Sequence, residues 1–400
     1  MKSTRRMALT IGLAYAALPA IGAEPVPVTF SGFGTAALTK TDTNEVEYVR
    51  LNQASGAGLR ARTGVDSNFG LQAVAPLTDR LSVTVQELVR KDGPTDAYRG
   101  ELAWAFLKYK ASDDITLRVG RTTLPIYMIS DSRQIGYANV MIRPVAEVYN
   151  RVPVGSLSGA DILYQHTFGS TVLSGQISAG VGKSHLVGGT VVDFDPMIAL
   201  QLVAEQGPYT YRLGHTQAKF SVSAAKLTAL LSALQGAGQS AIADQLGATK
   251  VRGKFTSAGF AMDQKNFLIQ AEYAKKTNET RVVADMTSWY AMAGYRYNSL
   301  TPYYFHSHSK QDSIRSFSSL PVTGPLAGLT VAANGALKSP QQSVNGVGLR
   351  WDFTKSAAFK IQVDHVVPKD GTGEFAHPSP TYVSVHGPVN VYAAGIDFVF

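Results

Sequence analysis

The residues of this chain best suited to chemistry are its arginines. Arg133, Arg143 and Arg151 fall within one unusually apolar stretch, residues 123–157, with Arg121 at its edge and Asp131 and Glu147 among them. Arg118, Arg212, Arg296, Arg350 and Lys360 recur on the polar faces of segments that alternate polar with apolar residues. Cations along a narrow, partly desolvated passage focus the potential and favour anions. The chemistry they point to is electrostatic selection, not bond making. Glu272, Asp364 and Asp397 share those polar faces, so the basic ladder is mixed. Each arginine also has alternative partners in acidic loop residues or in phosphates of a membrane surface. Other candidates carry less. Period two puts His306 and His308 on one side of a strand, read here as the inward, polar side, and no third metal ligand accompanies them. Ser307 then points to the opposite face, so no Ser–His pair forms. Asp193 and Asp195 invite a calcium reading on two residues alone. No nucleophile elbow, phosphate loop or zinc signature occurs, and there is no cysteine. The sequence gives no enzyme, no cofactor and no metal.

The elements that position these residues are short strands. Leu81, Val83 and Val85 oppose Ser82, Thr84 and Gln86; Phe267, Ile269, Ala271 and Tyr273 oppose Leu268, Gln270 and Glu272. Val347, Leu349, Trp351 and Phe353 oppose Gly348, Arg350 and Asp352, and Phe359, Ile361 and Val363 oppose Lys360, Gln362 and Asp364. Such alternation is the mark of strands with two different faces. Over 101–110 it does not decide whether Trp104 and Phe106 meet lipid, a partner subunit or the 123–157 loop. Seven short turns can be marked, at Pro76–Arg80, Ser112–Asp114, Gly169–Ser170, Gly207–Pro208, Asp263–Asn266, Asn298–Leu300 and Thr354–Ser356. Longer segments lie between them near 40–64, 91–98, 123–157, 182–190, 216–249, 276–282, 309–340 and 366–387. Seven turns and eight loops join about sixteen strands, which predicts an all-β, antiparallel transmembrane barrel. Aromatics bunch beside the short turns: Tyr109, Phe168, Tyr209, Tyr211, Phe267, Tyr295, Tyr297, Tyr303, Phe353, Phe359, Phe398 and Phe400. That is the interfacial girdle such a barrel needs. Within 221–247, Leu227, Leu230, Leu231 and Leu234 follow helical spacing up to Gly236 and Gly238. That helix is read as self-packed or as a lid.

The first residues read as an export signal. Lys2, Arg5 and Arg6 precede the apolar run Met7–Leu18, and Gly22 and Ala23 suit cleavage before Glu24 or one residue earlier. This predicts a signal peptide over 1–23 and one barrel domain over 24–400. The chain carries a formal charge of +8; without Lys2, Arg5 and Arg6, 34 basic residues face 29 acidic ones, or +5. No basic run of the kind that tracks nucleic acid is present. No later window is apolar enough for a membrane-spanning helix, and an exported chain without one crosses a membrane only as a closed barrel.

The last ten residues carry a family resemblance. Tyr392, Ala394, Ile396, Phe398 and Phe400 share one face of a strand, while Val391, Ala393, Gly395, Asp397 and Val399 share the other. This resembles the closing strand of Gram-negative outer-membrane barrels. With the turn series and the 123–157 loop, the whole mature chain is similar to porins of the 16-stranded, homotrimeric kind. The resemblance implies that Tyr392, Phe398 and Phe400 belong to the signal read by the barrel-assembly machinery. It implies a third loop folded into the lumen, with a constriction at Arg118, Arg121, Asp131, Arg133, Arg143 and Glu147. Arg212, Arg296, Arg350 and Lys360 would line the pore. The family's acidic Pro-Glu-Phe-Gly-like loop motif is missing, which removes the usual reason for cation preference. The expected function is passive diffusion of small hydrophilic solutes and ions across the bacterial outer membrane, with weak anion preference. The expected surroundings are outer-membrane lipid, lipopolysaccharide and two further copies of the chain. A substrate-specific channel, or a receptor or adhesin using its loops, is the alternative.

Overall fold

The structure, a computed structural model, describes residues 26–376 and 385–400. The leader expected over residues 1–23 lies outside them. Sixteen strands follow in chain order. They are β1 (Thr29–Thr41), β2 (Asn68–Pro76), β3 (Leu81–Lys91), β4 (Tyr98–Lys110), β5 (Ile115–Thr123), β6 (Ser156–Phe168), β7 (Thr171–His185) and β8 (Val191–Gln206). Then come β9 (Tyr209–Ser223), β10 (Val251–Gln264), β11 (Phe267–Asn278), β12 (Met286–Tyr295), β13 (Leu300–Gln311), β14 (Gln342–Trp351), β15 (Ala357–Pro368) and β16 (Val389–Val399). Each pairs antiparallel with its neighbours, and β1 with β16 closes the barrel. Closure leaves no strand edge with unpaired backbone groups, which is what hydrocarbon requires. Among the described residues no helix is long and apolar enough to cross a membrane.

The turns decide the strand count. Gly169 and Gly207 sit at φ 61° and 57°, and Asn298 at 53°. A two-residue hairpin needs such backbone, and glycine takes it without strain. All seven short connections lie where turn chemistry puts them, on one end of the barrel, with the eight long loops on the other.

Alternation separates an apolar exterior from the interior. On β8, Ile198, Leu200 and Leu202 are exposed outward while Met197 and Ala199 are buried. On β16, Tyr392 and Ile396 face out, as does Phe400 just beyond it, and Val391, Ala393 and Asp397 face in. Tyr109, Phe168, Tyr211, Phe267, Tyr295, Tyr297 and Phe353 are exposed at the short-turn end. Tyr303 departs from that girdle: it is buried and donates to Gln362.

The histidine pair also departs from expectation. On β13 the buried residues are Thr301, Tyr303, Phe305, Ser307, Ser309 and Gln311, so His306 and His308 face outward. His306 lies 2.9 Å from Asn345 and against the Trp289 ring. The polarity signal inverts here because the inner surface of β13 is covered by protein. Its inward aromatics are core, while its outward histidines are not.

Among the described residues four α-helices lie in the connections: α1 (Ala146–Tyr149), α2 (Ala225–Gly236), α3 (Ser240–Leu246) and α4 (Ala327–Leu337). Leucine spacing locates α2, but α4 has no comparable signal. Leu234, Leu246, Ala333 and Leu337 bury one another with Phe317 and Leu320. The β9–β10 and β13–β14 loops thus make a small satellite core.

Candidate functional site

The β5–β6 connection carries α1 and occupies the interior. Residues such as Tyr127, Met141, Val145, Val148 and Tyr149 form one apolar cluster with Phe255, Tyr290, Phe305 and Val344 of the wall. An apolar loop of this length buries itself, and the inner wall supplies the surface. Irregular backbone also leaves carbonyls without partners, and the wall's polar side chains satisfy them.

That requirement explains where the expected pore-lining cations lie. Lys360 Nζ donates to the carbonyls of Gly136, Asn139 and Met141 at 2.8, 2.5 and 3.1 Å, and pairs with Asp397 at 2.8 Å. Arg350 donates to the carbonyls of Tyr137 and Asn139, at 2.8 Å each, and to Asp352. Arg212 reaches the Pro125 carbonyl, Ser257 and Gln201. Alternation puts all three side chains inside the barrel, yet they hold the loop and do not border the open cavity. Arg296 pairs with Asp263 beside the short turns, away from the loop.

Two of the expected constriction residues are likewise buried anchors. Arg143 grips Asp66 through Nε and Nη2 at 2.9 and 2.7 Å, and Asp364 through Nη1 at 2.8 Å. Its guanidinium also lies 4.7 Å from the Tyr48 ring centre. Burial pushes the Asp66 carboxyl upward, but Arg143, Arg50 and the Thr39 hydroxyl outweigh it and hold the group below its usual range. Glu147 accepts from Ser307 at 2.8 Å and from Gln342. Glu272 accepts from the Met128 amide at 2.9 Å and the Tyr149 hydroxyl at 2.6 Å. A charge under a loop is stable only with such partners, so these groups fix the loop's position. Arg151, from the same loop, pairs with Glu374.

A cavity of about 570 Å³ remains against β3, β4 and β5. It is bordered by Arg50, Arg90, Arg99, Arg121, Arg133, Arg143 and Lys183, and by Asp92, Glu101 and Asp131. The expected Arg121, Asp131, Arg133 and Arg143 meet there; Arg50, Arg90 and Arg99 are additions from the structure. Arg90 was within reach, because it continues the polar face Ser82, Thr84, Gln86. Arg50 was not, because it sits in the β1–β2 loop, where no periodicity exists. Arg90 pairs with Asp92 and Glu101, and Arg121 with Glu101 at 3.3 Å. Among the described residues Arg50, Arg99 and Arg133 have no ion-pair partner. Burial lowers the proton affinity of the Arg50 and Arg133 guanidinium groups, yet an arginine keeps its charge at neutral pH. Arg118 lies on the same wall, bound through two hydrogen bonds of 2.8 and 2.7 Å to Asp161. No group of three or more His, Asp or Glu placed to hold a metal occurs among the described residues.

No family profile and no curated protein matches the chain. Solved structures do. OmpF of Salmonella typhi, in complex with daunomycin, is 13% identical with a TM-score of 0.55, over 94% of this chain and 98% of that one. The trimer form of OmpT, an outer-membrane protein of Vibrio cholerae, is 11% identical at 0.54, over 94% and 100%. The anion-selective porin of Comamonas acidovorans is 12% identical at 0.53, over 94% and 100%. The fold is that of the bacterial outer-membrane porins.

Proposed function

We propose that this chain is an outer-membrane channel through which small hydrophilic solutes and ions diffuse passively, with weak preference for anions. It catalyses no reaction. The observation that carries this reading is the composition of the cavity border, six arginines and Lys183 against three carboxylates. Arg143 and Lys183 are paired with carboxylates outside the border, which leaves five arginines against three carboxylates. Charges at a narrow passage are screened little over the Debye length, about 8 Å at physiological salt, so this excess biases permeation where outer-loop charges do not. The short-turn end then faces the periplasm, and residues 1–23 are removed after export. The exterior of β14, β15, β16 and β1 presents Leu38, Val347, Leu349, Ile361, Tyr392 and Ala394 in a shallow, mostly apolar groove. With the likeness to a trimeric barrel, this favours a threefold assembly built on that side.

Reversal potential in a salt gradient across a planar bilayer tests the selectivity. Mild anion preference is expected. Replacing Arg50, Arg99 and Arg133 together with Gln should move the potential toward cations. Cation selectivity in the unmodified protein would overturn the anion preference, and a barrel passing no current would overturn the channel.

A further inference from the structure

The side chains of Trp104 and Phe106 face inward on β4. A register shift between Gln86 and Glu87 inserts Ala103 as an extra residue. Beyond it Trp104 stands opposite Gln86 and Phe106 opposite Thr84, and Gln86 and Thr84 are buried and face inward. Most of the other described aromatics face outward or join an apolar cluster; Phe33, which borders the same cavity, does neither. The Trp104 and Phe106 rings are half-buried and belong to neither cluster. Their centroids are 6.4 Å apart. With Phe33 and Leu88 they form the apolar part of a wall whose remainder is largely charged.

These apolar residues are flanked by cations. The Arg118 guanidinium sits 5.2 Å from the Phe106 ring centre. Trp104 borders the cavity together with Arg90, Arg99, Arg121 and Arg133. Arg99 donates to the Thr95 hydroxyl and has no carboxylate partner among the described residues. Arg133 lies over the Tyr127 ring, 5.7 Å from its centre, also without one. The cavity's volume, about 570 Å³, is within the roughly 300–1,000 Å³ of small-molecule sites.

We infer that this wall is a binding site for small planar aromatic carboxylates, the ring lying against Trp104 and the carboxylate held by the free arginines. The inference rests on the channel reading and adds a solute class to it. Ring-on-ring contact and charge-assisted hydrogen bonding are the two interactions the residues offer, and an aromatic carboxylate uses both. Acetate uses only the second. Binding of this kind stays weak enough to release the solute, as conduction demands.

The test is current block in a planar bilayer, at about 0.1 M salt to limit screening, with benzoate, cyclohexanecarboxylate and acetate. The last two keep the charge without the aromatic face. Block is expressed as a fraction of each variant's own open current. Benzoate should half-block at a concentration about tenfold below cyclohexanecarboxylate. Trp104→Leu should remove that difference. A second reading uses Trp289→Phe/Trp351→Phe, which leaves Trp104 as the single tryptophan; benzoate should quench its fluorescence in detergent. Open channels that do not distinguish the two ring acids, or that keep the distinction without Trp104, would overturn the site and leave the channel standing. Absence of any channel current would overturn both.

Discussion

At the scale of single residues, position relative to the inserted loop decides what a charge does. Arg143 and Arg133 are ten residues apart in one loop, yet one is locked between two carboxylates and the other has none. Removing Arg143 leaves Asp66 and Asp364 buried without their cation, a loss of about 3–5 kcal/mol by comparison with other buried pairs. Arg143→Gln should therefore raise current noise and lower thermal stability before it changes selectivity. The Asp66 carboxyl yields a pH prediction. Its affinity for protons is depressed in the folded state, so the stabilisation is complete above the ordinary carboxylate value of about 4. It disappears as pH falls through the lower folded value. Channel recordings taken downward from about pH 5 should show acid-induced flicker or closure beginning below about pH 4. Asp66→Asn should lack that step; an unchanged acid response in this variant would remove Asp66 from the mechanism.

At the scale of elements, the β5–β6 loop is held as a strand would be, by its backbone, but its partners are side chains. Lys360 alone serves three carbonyls and pairs with Asp397. Lys360→Met keeps the length of the side chain and loses every one of those bonds, with Asp397 left buried. We expect a thermal midpoint several degrees lower and frequent partial closures, measured by heat-modifiable mobility and single-channel recording. A normal midpoint with quiet channels would mean that apolar packing around Tyr149 and Tyr290 suffices. The strand that closes the barrel is tied at its last residue: the Phe400 amide donates to Gly32 at 3.0 Å and its carbonyl accepts from Gly32 at 2.9 Å. The Phe400 ring lies 6.4 Å from that of Phe69 on the exterior. A charged residue in place of Phe400 should block assembly and leave unfolded protein in the periplasm; heat-modifiable barrel in the outer membrane would refute this.

At the scale of the whole molecule, the exterior predicts association. If β14–β16 and β1 form the subunit contact, native mass spectrometry in detergent should give a trimer, and Ala394→Arg should give monomers that still conduct. A purely monomeric unmodified protein would count against that surface. Alternation and turn chemistry determined sixteen strands, which face of most of them is polar, and which loop is apolar enough to seek burial. These are local properties, because a strand's period and a turn's backbone angles are fixed by a few adjacent residues. Tertiary structure alone decided that Lys360, Arg350 and Arg212 hold the loop, that His306 and His308 face outward, and that the open cavity lies against β3–β5. The reason is that a folded-in loop gives the interior two environments, one covered and one open. Both are lined by inward polar residues, so periodicity cannot tell them apart. Only the path of the loop, set by contacts between residues such as Arg143 and Asp364, 221 positions apart, divides them.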